Sequence, residues 1–245
     1  MVLAGLEIFT RQGGVILSRW GHYLAGITWI GLLYYFNFVQ TPAFAEFDPA
    51  ARTEAFRKLV PRALWWFRYA ALLTVLTGLA ILGFQKQMNG DYMKTSQGAA
   101  ISTGILLALI MFTNVWAVIW PNQKILIANA ERVAGGAEPD PAAAPAGRKG
   151  LLASRTNTFF SIPVIFFMGA ASHFSPGSIT AASGKRAIYW LVVIVIAAVA
   201  ELNALGRLGG YGQDPPRKYL ETHKNTIIAG FVLWAVLYLL WDLIF

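Results

Sequence analysis

Residues 15–39 read VILSRWGHYLAGITWIGLLYYFNFV. A run this long and this apolar crosses ~30 Å of hydrocarbon as a helix. The same kind of stretch recurs near 64–84, 99–120, 157–175, 187–206 and 225–245. In the fourth of these, Pro163 and Pro176 bracket a short apolar core, which makes its ends the hardest to place. Composition agrees with a bilayer-embedded chain. Of 245 residues, 56% are hydrophobic and 13% are charged, against about 25% charged in an ordinary soluble domain. Mean hydropathy is +0.52. The reading is an all-α integral membrane protein: one polytopic domain over 1–245, built as a six-transmembrane-helix bundle in the lipid bilayer.

The 20 Lys and Arg residues set the expected orientation. Six fall on the N-terminus and the even-numbered loops, and 14 fall on the odd-numbered loops and their flanks. Basic loops stay in the cytoplasm, so both termini are expected on the outer, periplasmic side of a bacterial inner (cytoplasmic) membrane. Residues 1–10 carry no basic n-region, so no signal peptide is expected. The net charge of +8 is accounted for by these loops, and no basic run is interleaved with aromatics, so no nucleic-acid partner is expected. Residues 43–63 read as an amphipathic helix at the headgroups, started by Asp48-Pro49. In the connection 121–156, NQKILIANAERVA is helix-like, and the Ala/Pro/Gly-rich stretch near 134–150 reads as a flexible cytoplasmic linker.

An ionisable residue inside a membrane is costly and marks function by default. The chain has three histidines and no cysteine. His22 falls about 10 Å below the outer end of the first span. His173 falls near the outer end of the fourth and reads as shallower. His223 starts the sixth and reads as a solvated helix start. Two imidazoles toward one leaflet on different helices suit a b-type haem or another metal site. Arg19, three residues before His22 and on the same helix face, is placed to pair with a haem propionate. The alternatives are a hydrogen bond from His22 to a neighbouring helix and a solvated His173. Glu201 is a proton-relay candidate or a carboxylate that snorkels to the interface. Asn37, Asn114 and Asn157 read as interhelical hydrogen-bonding residues. Without cysteine there is no disulfide, thiolate zinc site or covalently attached haem c. No P-loop, HExxH or Ser-His-Asp pattern is present.

Two stretches resemble a known family. RWGHYLAGITWIGLLYYFNFVQTPAF (19–44) and NTFFSIPVIFFMGAASHF (157–174) are similar to segments of the membrane domain at the N-terminus of bacterial membrane-bound urate hydroxylases. The resemblance implies a multi-helix redox membrane domain. In that family a cytochrome c domain follows, and urate is the substrate of characterised members. His22 and His173 match by position, whereas the family's histidine before the Asn stretch is Thr156 here. Together the readings point to a redox-associated membrane protein or subunit. It would bind haem b through His22 and His173 and exchange electrons with an external cytochrome c or a quinone. The competing reading is a non-catalytic accessory subunit of a larger respiratory or photosynthetic membrane complex.

Overall fold

The computed structural model describes residues 6–174, 179–213 and 215–245. The described residues are helical apart from connections and one isolated antiparallel bridge between Thr95 and Thr180. Helix α1 is Arg11–Tyr34, α2 Pro49–Lys58, α3 Val60–Gln85, α4 Ser96–Ala134, α5 Ala143–His173, α6 Ser183–Ala204 and α7 His223–Ile244. Side-chain oxygens just before the first turn start four of them. Thr10 caps α1 at Gly13 N, Asp48 caps α2 at Ala51 N, Thr95 caps α4 at Gly98 N and Thr222 caps α7 at Asn225 N. Each accepts from an N–H that has no partner inside its helix.

Among the described residues, five helices, α3 to α7, are long and apolar enough to cross a membrane. Length and composition thus account for five of the six expected spans. Helix α1 is long enough at 24 residues, but Arg11, Arg19 and His22 dilute its apolar run. The outward faces are apolar: Ile27 is 72% exposed, Leu191 63% and Leu243 79%. A water-facing surface does not concentrate such side chains on helix after helix, whereas lipid accepts them. The chain is a multi-pass membrane protein on this evidence.

Helix α5 is the central element. Of its most apolar window 67% is buried, against 22–39% for the other four. Phe160 and Phe167 from α5 meet Phe67 of α3, Met111 of α4, Tyr189 and Val193 of α6, and Leu237 and Trp241 of α7 in one core. Trp29 and Leu33 join that core from α1. Val15, Ala25 and Leu82 are buried yet lie outside it. Helices α1 and α3 thus pair as a hairpin that leans on the rest through the second half of α1.

The connections sort to two ends. Arg57 of α2 bonds Glu131 of α4 at 2.8 Å. Arg148 of α5 reaches Tyr211 O and Glu221 in the α6–α7 connection. This is the basic end. At the opposite end, Ser96 N donates to Ile179 O and Trp241 Nε1 donates to Ser96 O.

Helix α5 begins at Ala143, inside the stretch expected as a linker. Non-helical backbone is confined to the segment between Ala134 and Ala143. Asn129 Oδ1 accepts from Asp140 N, Arg132 Nε donates to Glu138 O, and Ala143 and Ala146 are buried. Tertiary burial of alanines thus extends a helix that local composition did not require. The amphipathic helix expected within 43–63 is present as α2. Near the N-terminus Glu7–Phe9 forms a single 3-10 turn. Pro163 sits inside α5 without ending it, and Pro176 lies outside the described residues.

The Arg148–Glu221 pair fastens the α6–α7 connection to α5, with side chains 21% and 19% exposed. The Arg148 guanidinium holds the Glu221 carboxyl below its ordinary range. A depressed carboxylate contributes stability above its unfolded value, about 4.3, and loses it as pH falls through the folded value. Thermal stability in detergent is therefore expected to fall between pH 5 and pH 3, by less in Glu221→Gln. An equal acid-dependent loss in the two proteins would contradict the assignment.

Candidate functional site

The small side of α1 packs on α3. Gly21 lies over Thr77, and a Cβ on Gly78 would stand 3.2 Å from His22 Cε1. The absence of side chains there lets the His22 ring lie flat in the hairpin. His22 Nδ1 is 2.9 Å from Thr74 O and 3.2 Å from Thr77 Oγ1. Thr74 O only accepts, so Nδ1 carries the proton and Nε2 keeps its lone pair. Nε2 makes no hydrogen bond among the described residues. An imidazole oriented by Nδ1–H donation to a backbone carbonyl is the usual arrangement of a metal-ligating histidine. Arg19, half-buried, lies one turn toward the N-terminus of α1.

His173 is the last residue of α5 and is exposed. Its depth follows from two hydrogen bonds between the antiparallel helices. Tyr34 Oη meets Ser161 Oγ at 2.9 Å, and Asn37 Nδ2 donates to Ser154 Oγ at 2.8 Å. From the Tyr34–Ser161 level, His22 lies 12 residues back along α1 and His173 lies 12 residues on along α5. Both are about 18 Å away in the same direction. From the Asn37–Ser154 level the counts are 15 and 19 residues, which puts His173 about 6 Å nearer the same end. Both residues thus lie toward one end of the bundle, and no hydrogen bond joins them. His223 starts α7 at the other end and stacks obliquely on Phe38. Among the described residues no group of three or more His, Asp or Glu forms a metal cluster. Two imidazoles would suit a group that brings further ligands of its own, such as haem.

A second polar region lies closer to the basic end, nine residues along α5 from Arg148 and three residues from the end of α6. Asn114 Nδ2 donates to Asn157 Oδ1 at 3.0 Å and to Glu201 Oε2 at 2.9 Å, and Asn157 Nδ2 donates to Met111 O at 3.0 Å. Asn157 is fully buried and Asn114 is 1% exposed. Glu201 turns inward to this network, so the snorkelling reading is replaced.

Two of the helices that carry buried asparagines widen at them, at Asn37 and at Asn114. Tyr35–Gln40 after α1 and Asn114–Ile119 within α4 are π-helical turns. Thr41 N–H bonds Phe36 O, and Trp120 N–H bonds Val115 O, five residues back in each case. A proline follows each turn, Pro42 and Pro121. Lacking an N–H and crowding the preceding turn, proline disfavours regular α geometry there. Sequence reasoning did not find these turns. The Asn-to-Pro spacing, five residues in one case and seven in the other, was the available signal.

Residues 90–205 match a family model described as urate oxidase N-terminal. No curated protein and no solved structure matches the chain. The matched span takes in α4, α5 with its 157–174 stretch and His173, and α6 through Ala204, and it does not reach His22. Over residues 90–205 the chain is thus similar to the urate oxidase N-terminal family.

Proposed function

We propose that this chain is a redox-associated membrane protein in which His22 and His173 would hold haem b. The observation that carries the reading is His22 itself: its Nδ1–H is committed to Thr74 O, its Nε2 is open, and it lies toward the same end of the bundle as His173. Arg19 would pair a propionate from the same helix face. Bound haem would supply one-electron oxidation and reduction, and the electron partner would be an external cytochrome c or a quinone. In this reading α1 completes a six-span bundle, because a haem-filled site removes the cost of its imidazole. Both termini and the end that carries these histidines face the periplasm, and the basic end faces the cytoplasm of a bacterial inner membrane.

The test is a pyridine haemochrome spectrum of the protein purified in mild detergent. Bands of b-type haem are expected, and a folded sample without them refutes the proposal. The topology has its own check. With no native cysteine, Ala144→Cys and Gly184→Cys give single labelling sites flanking α5. Gly184→Cys is expected to react with an impermeant maleimide in intact spheroplasts, and Ala144→Cys only after lysis. Labelling of both from one side contradicts the map.

A further inference from the structure

Where α3 meets α4 near the basic end, one arginine has no counter-charge. Arg68 is half-buried on α3, eight residues beyond Val60. Its Nε donates to Leu64 O at 3.2 Å, one turn nearer the basic end, so the side chain runs toward that end. Its guanidinium rests on Trp120, 3.4 Å from the ring centre, and stands 5.5 Å from the ring of Trp116 and 5.7 Å from that of Tyr69. The apolar run of α4 ends at Trp120-Pro121, so the charge lies at the level of the lipid head groups, where tryptophans also collect. Trp65, Tyr69 and Leu73 beside it on α3 are exposed and apolar, as a face turned to lipid requires.

No carboxylate answers this charge. Helix α3 contains no Asp or Glu, and the one acid of α4, Glu131, bonds Arg57 of α2. Among the described residues neither Nη1 nor Nη2 of Arg68 has a hydrogen-bond partner. Both nitrogens are open to the surroundings, because the shut-off polar atoms without partners belong to other side chains. An aromatic ring takes the flat face of a guanidinium and leaves its in-plane N–H donors directed outward. Charged donors without acceptors at the border of hydrocarbon call for an anion. A second cation stands in the same patch. Lys124 Nζ is 5.7 Å from the Trp120 ring centre, and Lys124 is exposed and makes no ion pair among the described residues.

We propose that this patch holds the phosphate of an anionic phospholipid, gripped by the outward edge of Arg68 with Lys124 beside it, its acyl chains lying along Tyr69 and Leu73. Two free oxygens of a phosphodiester match the fork of a guanidinium. The absence of a free carboxylate on α3 and α4 gives the site its selectivity. A zwitterionic head group brings an ammonium to two cations and finds no partner for it, whereas phosphatidylglycerol brings its phosphate and hydroxyls alone. The inference concerns a lipid site separate from His22 and holds whether or not haem is bound.

The probes are dioleoyl phosphatidylglycerol and dioleoyl phosphatidylcholine, titrated separately against the delipidated full chain in detergent, with bound lipid counted by native mass spectrometry. A saturable site is expected, with phosphatidylglycerol at least about tenfold tighter than phosphatidylcholine, the scale of one hydrogen bond to a charged group. Arg68→Gln is expected to bring the two affinities together, and Lys124→Gln to cut the preference at least about threefold. Arg62→Gln is the control. Arg62 is exposed six residues back on another face of α3, and its removal is expected to leave the preference unchanged. The wild-type ratio, Lys124→Gln and Arg62→Gln decide the matter even if Arg68→Gln fails to fold. No saturable site on folded wild type, equal affinities for the two lipids, or an undiminished preference in Arg68→Gln or Lys124→Gln would overturn the proposal. So would an equal loss in Arg62→Gln, which would mark general surface charge, or displacement of the lipid by millimolar inorganic phosphate, which would mark a site for a free anion. A lost haem spectrum with intact lipid preference would refute the haem reading alone.

Discussion

His22→Ala is expected to abolish the Soret band of the purified protein while leaving its helical content and detergent-solubilised yield near wild type. The ring occupies the α1–α3 hairpin beside Gly78 and makes its polar contacts to Thr74 O and Thr77 Oγ1. Thr77 Oγ1 also donates to Leu73 O and to Thr74 O, so the hydroxyl and the carbonyl both keep helix-internal partners when the imidazole is gone. The structural loss is then about one interhelical hydrogen bond, roughly 1 kcal/mol. The loss of an axial ligand is a loss of the spectrum. His173→Ala is expected to act in the same direction, because ligation from two helices fails when either side is removed. Assembly and spectrum both unchanged in His22→Ala would assign His22 to interhelical hydrogen bonding alone and move the chain to the accessory-subunit reading.

The largest effect on stability is expected at the other buried polar group. Asn157→Leu removes a donor to Met111 O and an acceptor for Asn114 Nδ2 at a fully buried position of the central helix. Leaving buried polar groups unmatched costs about 1–3 kcal/mol, which in a chain of this size lowers Tm by roughly 2–10 °C. The network also predicts its own rescue. Asn114→Leu and Asn157→Leu together leave Glu201 Oε2 without its donor, whereas adding Glu201→Leu removes the last orphan, and replacing all partners by apolar groups approaches neutrality. The triple variant is therefore expected to melt above the double variant. Thermal unfolding in detergent measures both, and a triple variant no more stable than the double would contradict the role given to Asn114 as the Glu201 donor.

Much of the architecture was legible because the bilayer imposes a length. The apolar stretches at 64–84, 187–206 and 225–245 lie within or close to α3, α6 and α7. Where the sequence reading fell short, the cause was tertiary. The run at 157–175 omitted the first half of α5, since Arg148, Lys149 and Arg155 read as loop charges. In the fold, Arg148 is spent on Glu221, and Arg155 Nη1 donates to Leu220 O and Glu221 O. Those partners are more than 60 residues away in sequence, so nothing local announced a continuous helix. Asn37 was visible as a polar residue in an apolar run. That its nitrogen meets Leu33 O and Ser154 Oγ is something only the packed helices reveal. Glu201 was read as reaching for the interface because a carboxylate in lipid needs an outlet, and Asn114 supplies one inside the bundle.

The most direct measurement of the central claim is the low-temperature electron paramagnetic resonance spectrum of the oxidised, purified protein. Two imidazoles on one iron give a low-spin ferric signal of the bis-histidine type, and the account predicts that signal in wild type and its disappearance in both His22→Ala and His173→Ala. A preparation with no ferric haem signal, or a signal that survives both substitutions, would contradict it.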